Sequence, residues 1–144
     1  MYGVGDFPSL SENATVSLSV IVPAYNEDVR LPQMLDEALH FLEAKTKRNL
    51  DFSYEIIVVD DGSRDGTCGV VLKYSKRYGT DKVRLLRLHR NHGKGGAVRK
   101  GCLRARGAMI LMVRERRRRR RKKKKYFIPI ICLILFLILF CDTI

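Results

Sequence analysis

Four short apolar runs, separated by segments with helical periodicity, constrain the fold of this chain more than any other feature of its sequence. Residues 18–23, 55–60, 83–88 and 108–113 are rich in Val, Ile and Leu, which is typical of β-strands. The second run is apolar on both faces. Such a run predicts a strand of a parallel sheet that helices cover on both sides.

Three helices are predicted between these strands. The apolar residues of the first recur at spacings of three and four, and Pro32 suits its first turn. A second helix, capped by Asp65 or Thr67, is expected to run to about Tyr78. A third is expected over residues 97–106, closed by Gly107. This order of elements predicts an α/β fold with a parallel, Rossmann-like sheet and helices on both faces.

The charge of the chain is concentrated near its C-terminus and divides the sequence into regions. The net charge is +13, but residues 1–113 hold 17 Lys and Arg against 13 Asp and Glu. We therefore predict a polar lead-in over residues 1–17, one domain over 18–113, a polybasic segment over 114–125 and an apolar segment over 126–141. Because the domain itself is only mildly basic, nucleic acid is not its expected partner.

The basic and hydrophobic C-terminal tail permits more than one interpretation. Residues 126–141 form an apolar run of 16 residues, whereas a helix that spans a bilayer needs roughly 17 to 25. Ten preceding basic residues would hold the domain in the cytosol and attract anionic lipid, which makes the membrane an expected partner. The alternatives are a translated non-coding sequence without a selected role and, less favoured, a nuclear-localisation or nucleic-acid patch.

Three polar loops follow the first three predicted strands. In open α/β sheets, ligands bind beyond the carboxyl ends of the strands. Residues 23–27 offer an aromatic ring and a carboxylate, residues 60–63 offer two carboxylates, and residues 91–96 form a glycine-rich loop that leads into a helix. Backbone N–H groups at a helix N-terminus favour a diphosphate. Each loop alone is weak evidence, but their succession indicates a nucleotide site.

The same three segments carry a family resemblance. Residues 20–27 (VIVPAYNE) and 58–63 (VVDDGS) resemble the first two motifs of the family 2 inverting glycosyltransferases, which have the GT-A fold. Residues 91–101 (NHGKGGAVRKG) are most similar to the corresponding loop of the dolichyl-phosphate β-glucosyltransferases. The dolichyl-phosphate mannosyltransferases share the first two motifs and remain an alternative. The resemblance covers about 95 of 144 residues.

The resemblance implies an activity and a set of contact residues. The implied reaction transfers glucose from UDP-glucose to dolichyl phosphate for protein N-glycosylation, at the cytosolic face of the endoplasmic reticulum membrane. Uridine would contact residues at the first two strand ends, and the diphosphate would approach the glycine loop. The implied nucleotide-sugar-binding residues are Pro23, Tyr25, Glu27, Asp60, Asp61, Lys94 and Gly95.

The sequence departs from the family directly after the fourth strand. Family members place an Asp-x-Asp motif there, which holds Mg²⁺ or Mn²⁺ on the diphosphate. Here Met112 and Val113 are followed by Arg114, Glu115 and Arg116, so no metal site is expected. No candidate catalytic residue is identified either. We therefore expect an inactive, truncated form of the enzyme, or alternatively a non-enzymatic tail-anchored or membrane-surface protein.

The cysteine pattern indicates neither a zinc site nor a disulfide framework. The four cysteines, Cys68, Cys102, Cys132 and Cys141, share no CxxC spacing. No basic stretch followed by an apolar run marks a signal peptide at the N-terminus. Free thiols in a reducing compartment are therefore expected.

Overall fold

The computed structural model describes residues 2–3 and 13–113, which form one sheet and three helices. The strands are β1 (Tyr2–Gly3), β2 (Val16–Ala24), β3 (Tyr54–Asp60), β4 (Val83–Arg87) and β5 (Gly107–Met112). The helices are α1 (Leu31–Arg48), α2 (Thr67–Tyr78) and α3 (Gly93–Cys102). The predicted α/β fold class is confirmed.

The sheet has the strand order β1-β4-β3-β2-β5, and its four long strands are parallel. The register aligns Ala24 of β2 with Asp60 of β3, and Asp60 with Arg87 of β4. Three strands therefore end at the same level. The loops that follow them emerge side by side at one edge of the sheet.

Helices cover both faces of this sheet, as predicted. On one face, α1 and α2 pack against alternate strand residues, including Val20, Ile56 and Leu85. On the other face, Ala97 of α3 packs against the cluster that contains Ile21. All seven residues of β3 are buried, which explains why its sequence is apolar on both faces.

The third helix and the strand after it begin earlier than the sequence predicted. Helix α3 starts at Gly93 rather than residue 97, and it ends at Cys102 rather than residue 106. Gly107 does not close the helix but is the first residue of β5. A Cβ on Gly107 would lie 2.4 Å from the backbone nitrogen of Ser19, so close strand approach requires glycine there. The predicted start and the predicted end of α3 were therefore both wrong.

A buried ionic cluster joins three strands and the α3–β5 connection. Glu55 is fully buried, and its Oε2 accepts hydrogen bonds from Arg84 Nη1 at 2.8 Å and Arg106 Nε at 2.9 Å. Its Oε1 accepts from Ser19 Oγ and from the backbone N–H of Arg106, both at 2.6 Å. Because the charges are paired and hydrogen-bonded, the interior of the sheet tolerates them. No sequence pattern predicted this cluster.

The two outer strands of the described sheet differ in character. Strand β1, which lies within the predicted polar lead-in, pairs antiparallel with β4 through Tyr2 and Arg87. Strand β5 occupies the opposite edge among the described strands, and it exposes between 42% and 48% of Met109, Ile110 and Met112. An apolar edge of this kind favours association with another strand.

The tail predictions concern residues that the structure does not describe. Both the polybasic segment over 114–125 and the apolar segment over 126–141 lie outside the described ranges. Within residues 2–3 and 13–113, none of the helices combines the length and the apolar character that a bilayer crossing requires. The membrane association of the tail therefore stays a prediction.

Candidate functional site

The candidate site is built from three loops at the carboxyl edge of β2, β3 and β4. We name them the first loop (residues 25–30), the second loop (residues 61–66) and the third loop (residues 88–92). The backbone N–H of Asp61 donates to the carbonyl of Ala24 at 2.8 Å, and that of Leu88 donates to the carbonyl of Asp60 at 2.8 Å. These bonds extend the strand register by one residue, so the loops start from a rigid base.

The first and second loops are held together by side chains that bond to backbone groups of the opposite loop. Ser63 Oγ accepts from the backbone N–H of Asn26 at 2.9 Å, and Asn26 Oδ1 accepts from that of Arg64 at 3.0 Å. Asn26 has a φ of 53°, a left-handed conformation that asparagine tolerates better than most residues. The shape of the first loop thus depends on the second.

A second set of bonds ties the first loop to the end of the second loop and to the start of α2. Thr67 Oγ1 accepts from the backbone N–H of Glu27 at 2.9 Å, and Asp65 Oδ2 accepts from that of Asp28 at 3.2 Å. Asp65 Oδ1 also accepts from the backbone N–H of Thr67 at 3.0 Å. Sequence analysis proposed Asp65 or Thr67 as a cap of α2. Both instead tie the start of α2 to the first loop.

Asp60 is completely buried, and its carboxylate bonds to the protein itself. Its Oδ1 accepts from the backbone N–H of Ser63 at 3.0 Å. Its Oδ2 accepts from Cys68 Sγ at 2.8 Å and lies 3.7 Å from Arg87 Nε. This carboxylate has no exposed surface and holds the second loop in place. The predicted nucleotide contact of Asp60 stays a prediction.

Asp61 connects the second loop to the third. Its side chain is 5% exposed, and Oδ1 accepts from the backbone N–H of His92 at 2.8 Å. A carboxylate offers about four acceptor positions, so the bond to His92 leaves capacity for a ligand. Sequence analysis selected Asp61 but not His92. Only the strand order, which places β4 beside β3, brings the two residues together.

Gly62 permits the close approach of the second and third loops. Its φ is +76°, and a Cβ at this position would lie 3.0 Å from the backbone carbonyl carbon of Arg90. Any other residue would be strained and would also push the third loop away. The glycine of the Asp-Asp-Gly-Ser motif is therefore required by the geometry of the site.

The predicted contact residues of the first loop have different surroundings. Tyr25 is 39% exposed at the edge of the site, where its ring is accessible to a planar ligand. The carboxylate of Glu27 is largely buried and pairs with Arg30. Pro23 lies within β2, paired in register with Val59, and is partly buried. Among these three residues, Tyr25 has the greatest access to a ligand.

The remaining predicted residues lie in the first turn of α3. Lys94 and Gly95 are both exposed, and a Cβ on Gly95 would meet no atom within 4 Å. The helix begins at Gly93, whose φ is +72° and whose backbone N–H donates to Asn91 Oδ1 at 2.8 Å. Lys94 and Gly95, at the start of α3, therefore lie on the surface next to the third loop.

The described residues do not fit a divalent metal site. Neither residues 2–3 nor residues 13–113 contain a group of three or more His, Cys, Asp or Glu side chains that could hold a metal ion. Strand β5 ends at Met112 and is followed by buried Val113, which offers no oxygen ligand from its side chain. Mg²⁺ prefers oxygen ligands. Among the described residues, the end of β5 therefore offers no side-chain oxygen to a divalent metal.

Comparison with known proteins places this arrangement in a family. The sequence profile of glycosyl transferase family 2 matches residues 19–113. The dolichyl-phosphate β-glucosyltransferases of Mus musculus and Drosophila melanogaster are 57% and 59% identical over 105 residues. These matches cover 73% of this chain and 32% of each relative, so the chain spans about a third of their length.

A solved structure supports the same assignment. The crystal structure of S. aureus TarS 1-349 in complex with UDP superposes with a TM-score of 0.54 at 30% identity, over 68% of this chain and 27% of that one. The family resemblance of the three sequence motifs is thereby confirmed, and the chain belongs to glycosyl transferase family 2.

Proposed function

We propose that residues 18–113 form the nucleotide-binding half of a sugar transferase and that their ligand is UDP-glucose. The observation that carries this proposal is the alignment of Ala24, Asp60 and Arg87, which places three polar loops around one edge of the sheet. Ligands of open α/β sheets bind at that edge. The likeness to TarS, which was crystallised with UDP, supports the choice of a uridine nucleotide.

The first and second loops are suited to the uridine. Tyr25 offers an exposed ring against which a base can stack, and Asp61 offers carboxylate acceptors for a base N–H or a ribose hydroxyl. Asp60 holds the second loop from beneath through Ser63. We propose that Pro23 and Glu27 shape the same pocket, since Glu27 also fixes the first loop through Thr67.

The start of α3 is suited to the diphosphate. Lys94 supplies a positive charge, and the exposed backbone at Gly95 allows close approach because no side chain intervenes. A diphosphate there would lie beside the third loop, whose end is bonded to Asp61. One ligand would then bridge two adjacent parts of the site.

By likeness to its relatives, we propose that the complete reaction is transfer of glucose to dolichyl phosphate at the cytosolic face of the endoplasmic reticulum membrane. The curated relatives in mouse and fruit fly are named for that acceptor and that sugar. The described residues supply the donor side of this reaction only. Membrane contact through residues 114–141 belongs to the same proposal.

We propose that these 144 residues by themselves do not transfer glucose. A metal ion in such sites neutralises the charge that develops on the leaving diphosphate. After β5 this chain has Arg114 and Arg116 in place of acidic ligands, and Glu115 alone provides a single carboxylate. A cationic segment repels a divalent cation, so nucleotide binding is expected without turnover.

Calorimetric titration of the full chain with UDP tests the binding proposal. Asp61→Ala is expected to abolish measurable binding, because the ligand loses a buried acceptor. Asp51→Ala is the matched control, since Asp51 is exposed at the opposite end of β3. Thermal melting of both variants verifies that they fold. Equal UDP affinity in Asp61→Ala and wild type would refute the proposed site.

A transfer assay tests the proposal of inactivity. The full chain in detergent is incubated with UDP-glucose, dolichyl phosphate and either Mg²⁺ or Mn²⁺, and glucosyl-phosphodolichol is measured. We expect UDP binding and no product. Metal-dependent product would show that residues other than an Asp-x-Asp motif complete the reaction.

A further inference from the structure

His92 occupies the junction between the two parts of the proposed nucleotide site. It is the last residue of the third loop and immediately precedes Gly93, the first residue of α3. Its backbone N–H bonds to Asp61, the residue proposed to contact uridine. Lys94 and Gly95, proposed to meet the diphosphate, follow it by two and three residues. The inference below rests on that proposed function.

The imidazole ring of His92 is fixed in orientation by the loop that carries it. Its Nδ1 lies 2.7 Å from the backbone carbonyl oxygen of Arg90. A carbonyl oxygen only accepts hydrogen bonds, so Nδ1 must carry the proton in this contact. The ring therefore closes a turn over residues 90–92, directly before α3 begins.

The other side of His92 packs tightly against α3. A Cβ added to Gly96 would lie 2.7 Å from the Cβ of His92, a separation that atoms do not adopt. The absence of a side chain at Gly96 thus gives His92 its space. On the side of the second loop, His92 Nδ1 is 3.7 Å from Asp61 Oδ1. His92 therefore contacts the second loop, its own turn and the helix, while its side chain stays 26% exposed.

We propose that His92 is a positioning residue that couples uridine recognition to diphosphate recognition. Its backbone amide holds Asp61, while its ring holds the turn that aims the first residues of α3. Because both contacts belong to His92, they fix the position of the start of α3, which meets the diphosphate, relative to the Asp61 carboxylate, which meets the base. Removing the ring loosens the turn and leaves the backbone bond to Asp61 in place.

Because the ring and the backbone amide of His92 make separate contacts, we expect loss of the ring to lower the affinity for UDP and not that for uridine. His92→Ala keeps the backbone N–H, so uridine binds as it does to the wild type. In this variant the ring no longer orders residues 90–93. These residues must therefore become ordered when UDP binds, which lowers the affinity for UDP. The loss of one such hydrogen bond corresponds to about a fivefold weaker affinity for UDP. The ratio of UDP affinity to uridine affinity therefore falls about fivefold.

NMR titration of the full chain with uridine and with UDP, each alone, measures this ratio. His92→Asn is the conservative variant, since the asparagine amide nitrogen occupies the position of Nδ1 and donates to the same carbonyl. We expect the ratio of UDP affinity to uridine affinity in His92→Asn to be close to that of the wild type. Gly96→Ala places a methyl group against the Cβ of His92 and so displaces this residue from α3, and it is expected to lower the ratio as His92→Ala does. Gly69→Ala is the control, because its added Cβ meets no atom within 4 Å and α2 lies away from this turn.

The outcomes separate this inference from the proposed function. A lower ratio in His92→Ala and Gly96→Ala, with recovery in His92→Asn, supports the coupling. Equal weakening of uridine and UDP binding would indicate general destabilisation and overturns it, as does an unchanged ratio. If the wild-type chain binds neither ligand, the proposed function fails, and the role of His92 fails with it.

Discussion

The carboxylate of Glu55 and the guanidinium of Arg84 lie 2.8 Å apart inside the sheet, where both side chains are almost completely buried. Arg106 adds a second guanidinium to the same carboxylate at 2.9 Å. The three residues join β3, β4 and the segment before β5. An ion pair of this kind contributes little net stability when intact, but breaking it leaves an uncompensated buried charge.

We therefore expect Glu55→Gln to destabilise the protein at neutral pH by about 3–5 kcal/mol, because Arg84 and Arg106 lose their buried counter-charge. Urea unfolding at pH 7, followed by circular dichroism, measures this change in the free energy of unfolding. Asp51→Asn, at an exposed aspartate, should change it by about 0.5 kcal/mol or less. A loss of similar size in both variants would contradict the role of the cluster.

The comparison of wild type with Glu55→Gln also gives a pH-dependent prediction. Burial alone would raise the pKa of the Glu55 carboxyl, but hydrogen bonds from Ser19, Arg84 and Arg106 outweigh it and lower the pKa. A lowered folded-state pKa stabilises the protein above the unfolded-state pKa, and this contribution is lost as the pH falls through the folded-state pKa. The difference in unfolding free energy between wild type and Glu55→Gln should narrow from pH 7 to pH 3. A constant difference would show that the pKa of Glu55 is the same in the folded and the unfolded protein.

Gly101→Ala tests the close packing of α3 on the sheet. A Cβ at this position would lie 2.6 Å from Cγ2 of Ile21 and 2.8 Å from Cγ2 of Val59. Such overpacking typically destabilises by about 1–3 kcal/mol. Gly69→Ala, with open space around the new methyl group, should instead be neutral or slightly stabilising. Thermal melting distinguishes the two variants, and a stable Gly101→Ala would indicate that α3 can move away from the sheet.

Gly95→Ala separates ligand binding from folding at the start of α3. The new methyl group meets no protein atom within 4 Å, so the melting temperature should not fall. If a diphosphate approaches this backbone as proposed, the methyl group obstructs it, and UDP affinity should drop while uridine affinity does not. Calorimetry with both ligands measures the difference. Unchanged UDP affinity would place the diphosphate elsewhere.

Cys68 is predicted to react slowly with alkylating agents despite being partly exposed. Burial raises the pKa of its thiol to about 12, and the hydrogen bond to the Asp60 carboxylate adds to this effect. The thiolate is the reactive form, so it is scarce at pH 8 and increases with pH. Iodoacetamide labelling followed by mass spectrometry should show little modification of Cys68 at pH 8 and faster labelling at pH 10. Labelling at pH 8 as fast as in urea-unfolded protein would contradict the contact with Asp60.

The sequence predicted the four long strands well because each is a short apolar run that the sheet buries. Bounds differed by at most two residues: β2 extends from Val16 to Ala24, where residues 18–23 were expected. The α3 prediction was wrong because glycine has a low helix propensity, so residues 93–96 resembled a loop. Tertiary packing overrides that preference at Gly101, which allows α3 to lie directly on Ile21.

The contacts within the site were less predictable than the residues that make them. Motif positions such as Asp61 and Gly62 were visible in the sequence, whereas the partner of Asp61 depends on which strand lies beside β3. Likewise, Glu55 was interpreted only as the start of an apolar run. Nothing local indicates that Arg84 and Arg106, 29 and 51 residues further on, meet its carboxylate.

The reciprocal bonds between the first and second loops have a consequence for how this site evolves. The side chain of Ser63 holds the backbone of residue 26, while the side chain of Asn26 holds the backbone of residue 64. A change at either position removes one of the two bonds and loosens the loop shape that both maintain, so a tolerated substitution should be accompanied by one at the partner position. We expect correlated variation between positions 26 and 63 across an alignment of the family. Grafting the two loops together should then transplant the pocket into a related scaffold more successfully than grafting either one alone.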